Sequence, residues 1–248
     1  MVKYVTADRG CRIGMNIYAR LLTLNFCNNN KPTHTYVHTP LTEPFEDLFN
    51  LGMGYEKIDE IDDEIKVIML PVQTDILRTK NFSQFSNEFR EDIIKRYNPS
   101  CLNLKNKSKI SICIHIRRGD TVSGRMTVAK RERKVDDDFL EKVLYKINKF
   151  IKKPVSINIH SDSVLDMEKF ETYDLEINTK FEDSPIQAIQ DMISCDILFR
   201  AGISSFSGIC AFYNTNLVIS EMPVRFKGLY VMDNVYGLEE CDGRLRNI

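Results

Sequence analysis

Residues 112–120 read ICIHIRRGD, an apolar stretch running directly into a histidine, two adjacent arginines, a glycine and an aspartate. A strand that ends in His115-Ile116-Arg117-Arg118-Gly119-Asp120 presents polar residues at the carboxyl edge of its sheet. In open α/β sheets that edge is where ligands bind. The planar fork of arginine donates two parallel charge-assisted hydrogen bonds, which suits a diphosphate. His115 and Arg117 point to one face of such a strand, Ile116 and Arg118 to the other. A turn at Gly119 brings the second guanidinium back toward the first. Two plainer readings stand beside this one. The arginines form a salt-bridged surface pair, or Arg118-Gly119-Asp120 is an adhesive tripeptide, which needs an exposed extracellular loop.

Further polar clusters occupy comparable places. Ser161 and Asp162 follow the apolar run VSINI at a second carboxyl edge. Ser204-Ser205-Phe206-Ser207 lies between a strand pattern and a helix pattern, so hydroxyls and backbone N–H groups meet at a helix N-terminus, a ready anion site. The simpler alternative there is an ordinary serine N-cap. Near the start, ADRGCRIGMN also follows a strand and opens a helix, and its Arg9, Arg12 and Asn16 either approach a diphosphate or acceptor or are solvated turn residues. Asp136, Asp137 and Asp138 contain an Asp-x-Asp pattern that elsewhere holds a divalent ion. Here they open an amphipathic helix, where acidic residues complement the macrodipole, and capping is the expected role. Residues 117–134 hold seven lysines and arginines against two acids, either an attractor of phosphorylated or acidic partners or a solvated loop. The Gly-x-Gly of LGMGYEK at 51–57 lacks a following helix fingerprint and is expected to be a turn. His34 and His38 share a strand face and are expected to form a surface pair, not metal ligands.

The elements that must position these residues alternate between short β-rich runs and helical patterns, which specifies α/β units with a largely parallel sheet. Strands are expected at 2–6, 34–38, 65–70, 110–116, 155–160, 173–177, 196–199 and 216–219, and helices at 15–27, 84–97, 137–152, 184–194 and 205–213. Residues 98–109, NPSCLNLKNKSK, break both periodicities and form the linker candidate. They divide the chain into an N-terminal α/β domain, 1–100, and a C-terminal α/β domain, 108–248.

Composition excludes some partners. The 248 residues are 43% hydrophobic and carry a net charge of −1, so any phosphate contact is local and no global attraction to polyanions is expected. No apolar run approaches the roughly 20 residues of a membrane span, and the first residues lack a signal-peptide pattern, so a cytoplasmic protein without a transmembrane segment is expected. Seven cysteines without a C-x-x-C are expected to be buried free thiols.

HIRRGD at 115–120 resembles the His-x-Arg-Arg-x-Asp motif of the fucosyltransferase superfamily, most closely its α1,2 branch. INIHSDS at 157–163 is similar to the strand ending in Ser-Asp that follows in that family, and DMISCDILFRAGISSFSGICAFYN at 191–214 resembles its M-x-x-C … S-S-F-S stretch. Three motifs in the family's order are a fairly specific signal.

The resemblance implies a GT-B glycosyltransferase: two Rossmann-like domains facing across a cleft, with the nucleotide sugar on the C-terminal domain and the acceptor on the N-terminal side. It implies transfer from GDP-fucose to a hydroxyl of a glycan or glycoprotein, with inversion and without metal or other cofactor. Arg117 and Arg118 then stabilise the charge that develops on the leaving β-phosphate, a large contribution in such reactions. Ser204, Ser205, Phe206 and Ser207 line the donor site, His115 and Ser161 belong to it, and Asp162 or Asp191 reads the base or ribose. Arg9 and Arg12 stand where the family has its glycine-rich first loop. The general base does not transfer: the family glutamate ten residues past the motif histidine is matched by Arg125, leaving Asp120 as the carboxylate of the motif. The tryptophans that follow S-S-F-S in the family are replaced by Gly208 and Ile209, which keeps a different donor such as UDP-xylose open. A non-enzymatic nucleotide- or RNA-binding module predicts aromatic platforms near the basic loop, and 117–134 contains no aromatic residue. No nucleic-acid partner is therefore expected.

Overall fold

The computed structural model describes residues 3–7, 13–60, 65–68, 85–98, 108–117, 137–162, 164–170, 173–181, 184–201, 204–221 and 232–248. They fall into two units, one before and one after the 100/101 boundary. Each is α/β with its own parallel sheet.

In the N-terminal unit β1 (Lys3–Ala7) lies between β2 (His34–Tyr36) and β3 (Ile65–Ile68), all parallel. The crossover from β1 to β2 is α1 (Ile13–Asn29), whose Ile17, Leu21, Leu22 and Leu24 are buried. Arg20 is buried in the same helix because the carbonyl of Thr39 accepts from its Nε at 2.9 Å and from its Nη2 at 2.7 Å. That fork ties α1 to the chain leaving β2. A short helix, α2 (Phe45–Phe49), was not anticipated from the sequence, being too brief to show a period. The last helix, α3 (Asn87–Arg96), starts at Ser86, whose Oγ accepts from the Phe89 N–H, and ends with Lys95 and Arg96 against its negative pole.

The C-terminal unit holds six parallel strands in the order β6-β5-β4-β7-β8-β9. These are β4 (Ile110–Ile116), β5 (Val155–Ser161), β6 (Ile177–Phe181), β7 (Ile197–Arg200), β8 (Leu217–Ser220) and β9 (Val235–Gly237). The chain winds outward from β4 through β5 and β6, then returns to β7 on the other side of β4. This is the doubly wound order whose crevice opens at the reversal, between the carboxyl ends of β4 and β7.

Parallel strands are covered on both faces, which is why β4 and β7 are mostly apolar, whereas β5 alternates Ile157 and Ile159 with Ser156, Asn158 and His160. On one face Ile112, Ile114, Ile116, Ile157, Ile159, Ile197, Phe199 and Ile219 join Phe139, Leu140, Val143, Leu144 and Ile147 of α4 (Asp137–Phe150) in one core. A salt bridge from Lys146 to Asp242 holds α7 (Asp242–Arg246) beside α4. The other helices are α5 (Pro185–Ser194) and α6 (Ser205–Tyr213). Cys113, Cys195 and Cys210 are buried free thiols, as are Cys27 and Cys241.

Two expectations require correction, and two short elements were not anticipated. The strand placed at 173–177 lies at 177–181: Tyr173 and Leu175 pack against the core ahead of the ladder, and the paired residues run from Ile177 through the polar Asn178, Thr179 and Lys180 to Phe181 of an edge strand. Strand β9 and helix α7 are too short to have carried a sequence signal. His38 is not a surface residue but wholly buried. Residues 51–54 form a turn, as expected for LGMGYEK. Among the described residues no helix is long and apolar enough to cross a membrane.

Candidate functional site

Register brings together residues far apart in sequence. His115 of β4 is paired with His160 of β5 on one side and Arg200 of β7 on the other. His160 is paired with Lys180, and Arg200 with Ser220. Paired residues share a sheet face, so Lys180, His160, His115, Arg200 and Ser220 form one polar row across five strands at their carboxyl ends. Two residues earlier the same face carries Cys113, Leu198 and Val218, which are buried. On β4, β7 and β8 the face turns polar only at its carboxyl edge, whereas β5 and β6 carry Asn158 and Asn178 in that earlier row.

The row is deeply buried: His115 is 7% exposed, His160 3% and Arg200 2%. Ser204 and Ser207, which open α6 just past β7, are 1% and 0% exposed. An Arg200 Nη2 donates to the Ser204 carbonyl at 3.2 Å and so ties the end of β7 to the start of α6. Ser204 has the extended backbone of an N-cap, yet its side chain makes no capping bond. The ordinary N-cap role is therefore not what this serine performs. Among the described residues the hydroxyls of Ser204 and Ser207 and the Nδ1 atoms of His115 and His160 are buried without a hydrogen-bond partner. Such atoms are rare in folded proteins and mark sites where a ligand or solvent completes the set.

The remaining residues cluster at the same edge. Phe206 lies with its ring 5.7 Å from that of His115. Arg117 is half-buried one residue past β4, Ser161 is buried at the end of β5, and Asp162 is exposed beyond it. Asp191 reaches the row from α5: its Oδ1 accepts from Gln187 Nε2 at 2.7 Å, and its Oδ2 lies 3.4 Å from His160 Nε2. The latter is an ion-pair distance whose alignment falls short of a hydrogen bond.

Electrostatics fix the protonation states. Burial pushes the His115 pKa down, and the neighbouring His160, Arg200 and Arg117 push it further, to about 3 against an opposing pull from Asp162. His115 is thus neutral at physiological pH. Burial alone would raise the Asp191 carboxyl, but His160 and the Gln187 amide outweigh it and hold the group below its ordinary value. The edge therefore offers arginine donors, a neutral imidazole, serine hydroxyls and one oriented carboxylate, a set suited to a phosphorylated nucleotide.

His115, Ser161, Asp191 and the Ser204–Ser207 turn are thus brought to one edge, with Arg117 and Asp162 beside them. Arg9, Arg12, Arg118 and Asp120 lie outside the described residues, as do nearly all of the basic loop and most of the linker candidate. His160, Arg200 and Lys180 were not singled out from the sequence. Their signal lies in the register, which places each beside His115 or one strand further.

The comparison that decides the family is a match of residues 60–223 to the model of glycosyl transferase family 11. The chain belongs to that family. It is a glycosyltransferase of the fucosyltransferase superfamily. The family match spans β3 to the end of β8, the whole of the edge just described. Among solved structures the chain is similar to NodZ alpha-1,6-fucosyltransferase co-crystallized with GDP, at TM-score 0.49 and 12% identity over 85% of this chain and 92% of that one. It is also similar to POFUT1 in complex with GDP, at TM-score 0.44 and 11% identity over 87% and 95%. At TM-scores below 0.5 these likenesses add no weight to the family match. No curated protein sequence matches the chain.

Proposed function

We propose that this family 11 glycosyltransferase moves a fucose-like sugar from GDP-fucose to a glycan or glycoprotein hydroxyl, inverting the anomeric centre without a metal. The observation that carries the reading is the buried polar row at the β4/β7 reversal, with two unpartnered serine hydroxyls where a doubly wound sheet receives a nucleotide. In this reading the C-terminal domain, 108–248, holds the donor, and the N-terminal domain, 1–100, the acceptor.

The chemistry follows from charge. As the sugar–phosphate bond breaks, negative charge collects on the β-phosphate, and the guanidinium groups of Arg117 and Arg118 lie on the motif aimed at it. Ser205 and Ser207 add hydroxyl donors, and the first-turn N–H groups of α6 add partial positive charge. His115, neutral because it is buried among cations, contributes a hydrogen bond without adding a further charge. Asp191 is the candidate reader of the base, with Asp162 at the ribose. The acceptor must lose its proton to a base on the opposite face. Asp120 has that composition, but a carboxylate beside two guanidiniums is a weak base and better suited to orienting them. With arginines neutralising the diphosphate, no divalent ion is required.

A thermal-shift panel of GDP, UDP, CDP and their sugars tests the donor. A ligand at ~100 times its dissociation constant adds ~2.7 kcal/mol, so the true nucleotide stands clear. GDP is expected to give the largest shift, with transfer surviving EDTA. A larger shift with UDP would move the donor to a UDP-sugar, and loss of transfer on chelation, restored by manganese, would overturn metal independence.

A further inference from the structure

The row at the strand ends contains a residue that the reaction as described does not use. His160 is 3% exposed, and among the described residues its Nδ1 has no hydrogen-bond partner. Burying an imidazole in this state is costly, and an apolar side chain of similar size would fill the space without that cost. Stability therefore does not account for a histidine here. Its second ring nitrogen lies 3.4 Å from Oδ2 of Asp191, while Gln187 holds Oδ1 at 2.7 Å. Gln187 and Asp191 stand one turn apart on α5, so the amide alone leaves the carboxylate free to turn about its own bond. A second contact from the sheet removes that freedom. The carboxylate is then held from the helix at one oxygen and from β5 at the other, with its remaining lone pairs free to accept.

We propose that His160 is the positioning residue for base recognition: its imidazole fixes the Asp191 carboxylate in the orientation that accepts the N–H groups of the donor's base. The inference rests on the assignment of Asp191 as the base reader. A guanine edge presents two adjacent N–H donors to one carboxylate, whereas uracil presents a single N–H, so orientation of the carboxylate discriminates between them. His160 touches neither phosphate nor sugar in this role.

The test is a set of four variants, His160→Phe, His160→Gln, Asp191→Asn and His160→Phe/Asp191→Asn, titrated with GDP, UDP and inorganic pyrophosphate, with thermal melts of each ligand-free protein. His160→Phe is expected to weaken GDP about tenfold, through loss of the ion-pair-distance contact that orients the carboxylate, and to leave pyrophosphate unchanged. The GDP/UDP affinity ratio should fall toward that of Asp191→Asn, and the double variant should lose no more than Asp191→Asn alone. His160→Gln, which keeps one donor near the position of Nε2, should recover most of the GDP affinity. Additive losses, a parallel loss of GDP and pyrophosphate, or a His160→Phe chain that melts early would each make His160 a structural residue and overturn the proposal. If Asp191→Asn lowers the GDP/UDP ratio while His160→Phe does not, the base reading stands and this inference alone fails. If Asp191→Asn leaves that ratio intact, the base reading fails and takes the inference with it.

Discussion

Both units bury histidines beside carboxylates at the ends of parallel strands, and they treat them in opposite ways. In the N-terminal unit, His38 is 0% exposed and bonded at both ring nitrogens, Nδ1 with the Tyr36 hydroxyl at 2.8 Å and Nε2 with the Glu46 carboxylate at 3.0 Å. Glu46 in turn accepts from the Leu41 N–H at 2.9 Å and lies 3.4 Å from Lys57 Nζ. Gly52 is pressed so closely on the ring that a Cβ there would lie 2.4 Å from it. The network is closed. In the C-terminal unit His115 and His160 are also buried, yet each keeps an Nδ1 without a partner among the described residues. Burial itself thus says little about function; whether the buried polar groups are satisfied within the fold separates a fastening from a binding edge.

The largest effect is expected where the closed network is cut. Burial raises the Glu46 carboxyl, but the bonds from His38 and the Leu41 N–H, with the charges of His38 and Lys57, outweigh it and bring it down to about 2. Glu46→Ala should cost about 3–5 kcal/mol, since it leaves a buried histidine and a backbone N–H unpaired. Urea melts measure the loss, and GDP affinity measured under native conditions should stay near wild type. A variant as stable as the parent would show that the network fastens nothing.

Arg117→Ala should do the reverse. If Arg117 serves the leaving phosphate as proposed, its removal lowers turnover about 10²-fold with little change in melting temperature. Arg117→Lys should recover only part, because an ammonium cannot reproduce the fork. Unchanged turnover in a single-turnover assay would remove Arg117 from the site.

Much of the polar edge was legible because Val and Ile recur along ISICIHI and VSINIH and give way to charged and hydroxyl residues where the strands end. The turn at Ser204 was legible for the same reason. His160 was not, because its part depends on register with His115, 45 positions earlier, and no local pattern encodes a register. His38 was misread for a related cause. HTYVH alternates like a half-exposed strand, while the residues that bury and bond its second histidine, Glu46 and Gly52, lie beyond any strand-length window. Edge strand β6 shows the remaining difficulty: the middle of its ladder, Asn178 to Lys180, is polar, and the apolar alternation of Tyr173, Leu175 and Ile177 begins ahead of it.

Acid separates the two histidine environments. His115 is depressed to about 3, so between roughly pH 6.5 and 3 the unfolded chain binds a proton that the native protein refuses. Its contribution is fully present above 6.5 and is lost as pH falls through that window, by up to about 1.4 kcal/mol per unit. Glu46 acts lower, from its ordinary value near 4.5 down to about 2. Moving from pH 6.5 to 5 should therefore cost the parent about 2 kcal/mol that His115→Phe does not lose. Parallel pH dependence in the two proteins would mean that His115 titrates freely.

The smallest effect gives the finest comparison, between two buried hydroxyls on helices. Thr23 of α1 is 1% exposed and donates to the Ala19 carbonyl at 2.9 Å. Ser207 of α6 is 0% exposed, and its Oγ has no partner among the described residues. Thr23→Val keeps the shape and removes the bond, and should cost about 0.5–1.5 kcal/mol with no change in nucleotide affinity. Ser207→Ala removes a hydroxyl that the apo fold does not satisfy, so its stability should stay within about 1 kcal/mol of the parent and shift upward. Its GDP affinity should nevertheless fall roughly three- to tenfold, the size of one net hydrogen bond. Stability and affinity thus move in opposite directions at Ser207, whereas only stability moves at Thr23. Loss of stability in Ser207→Ala without loss of affinity would place its hydroxyl in the closed class with Thr23 and His38, and α6 would then contribute only its backbone to the donor.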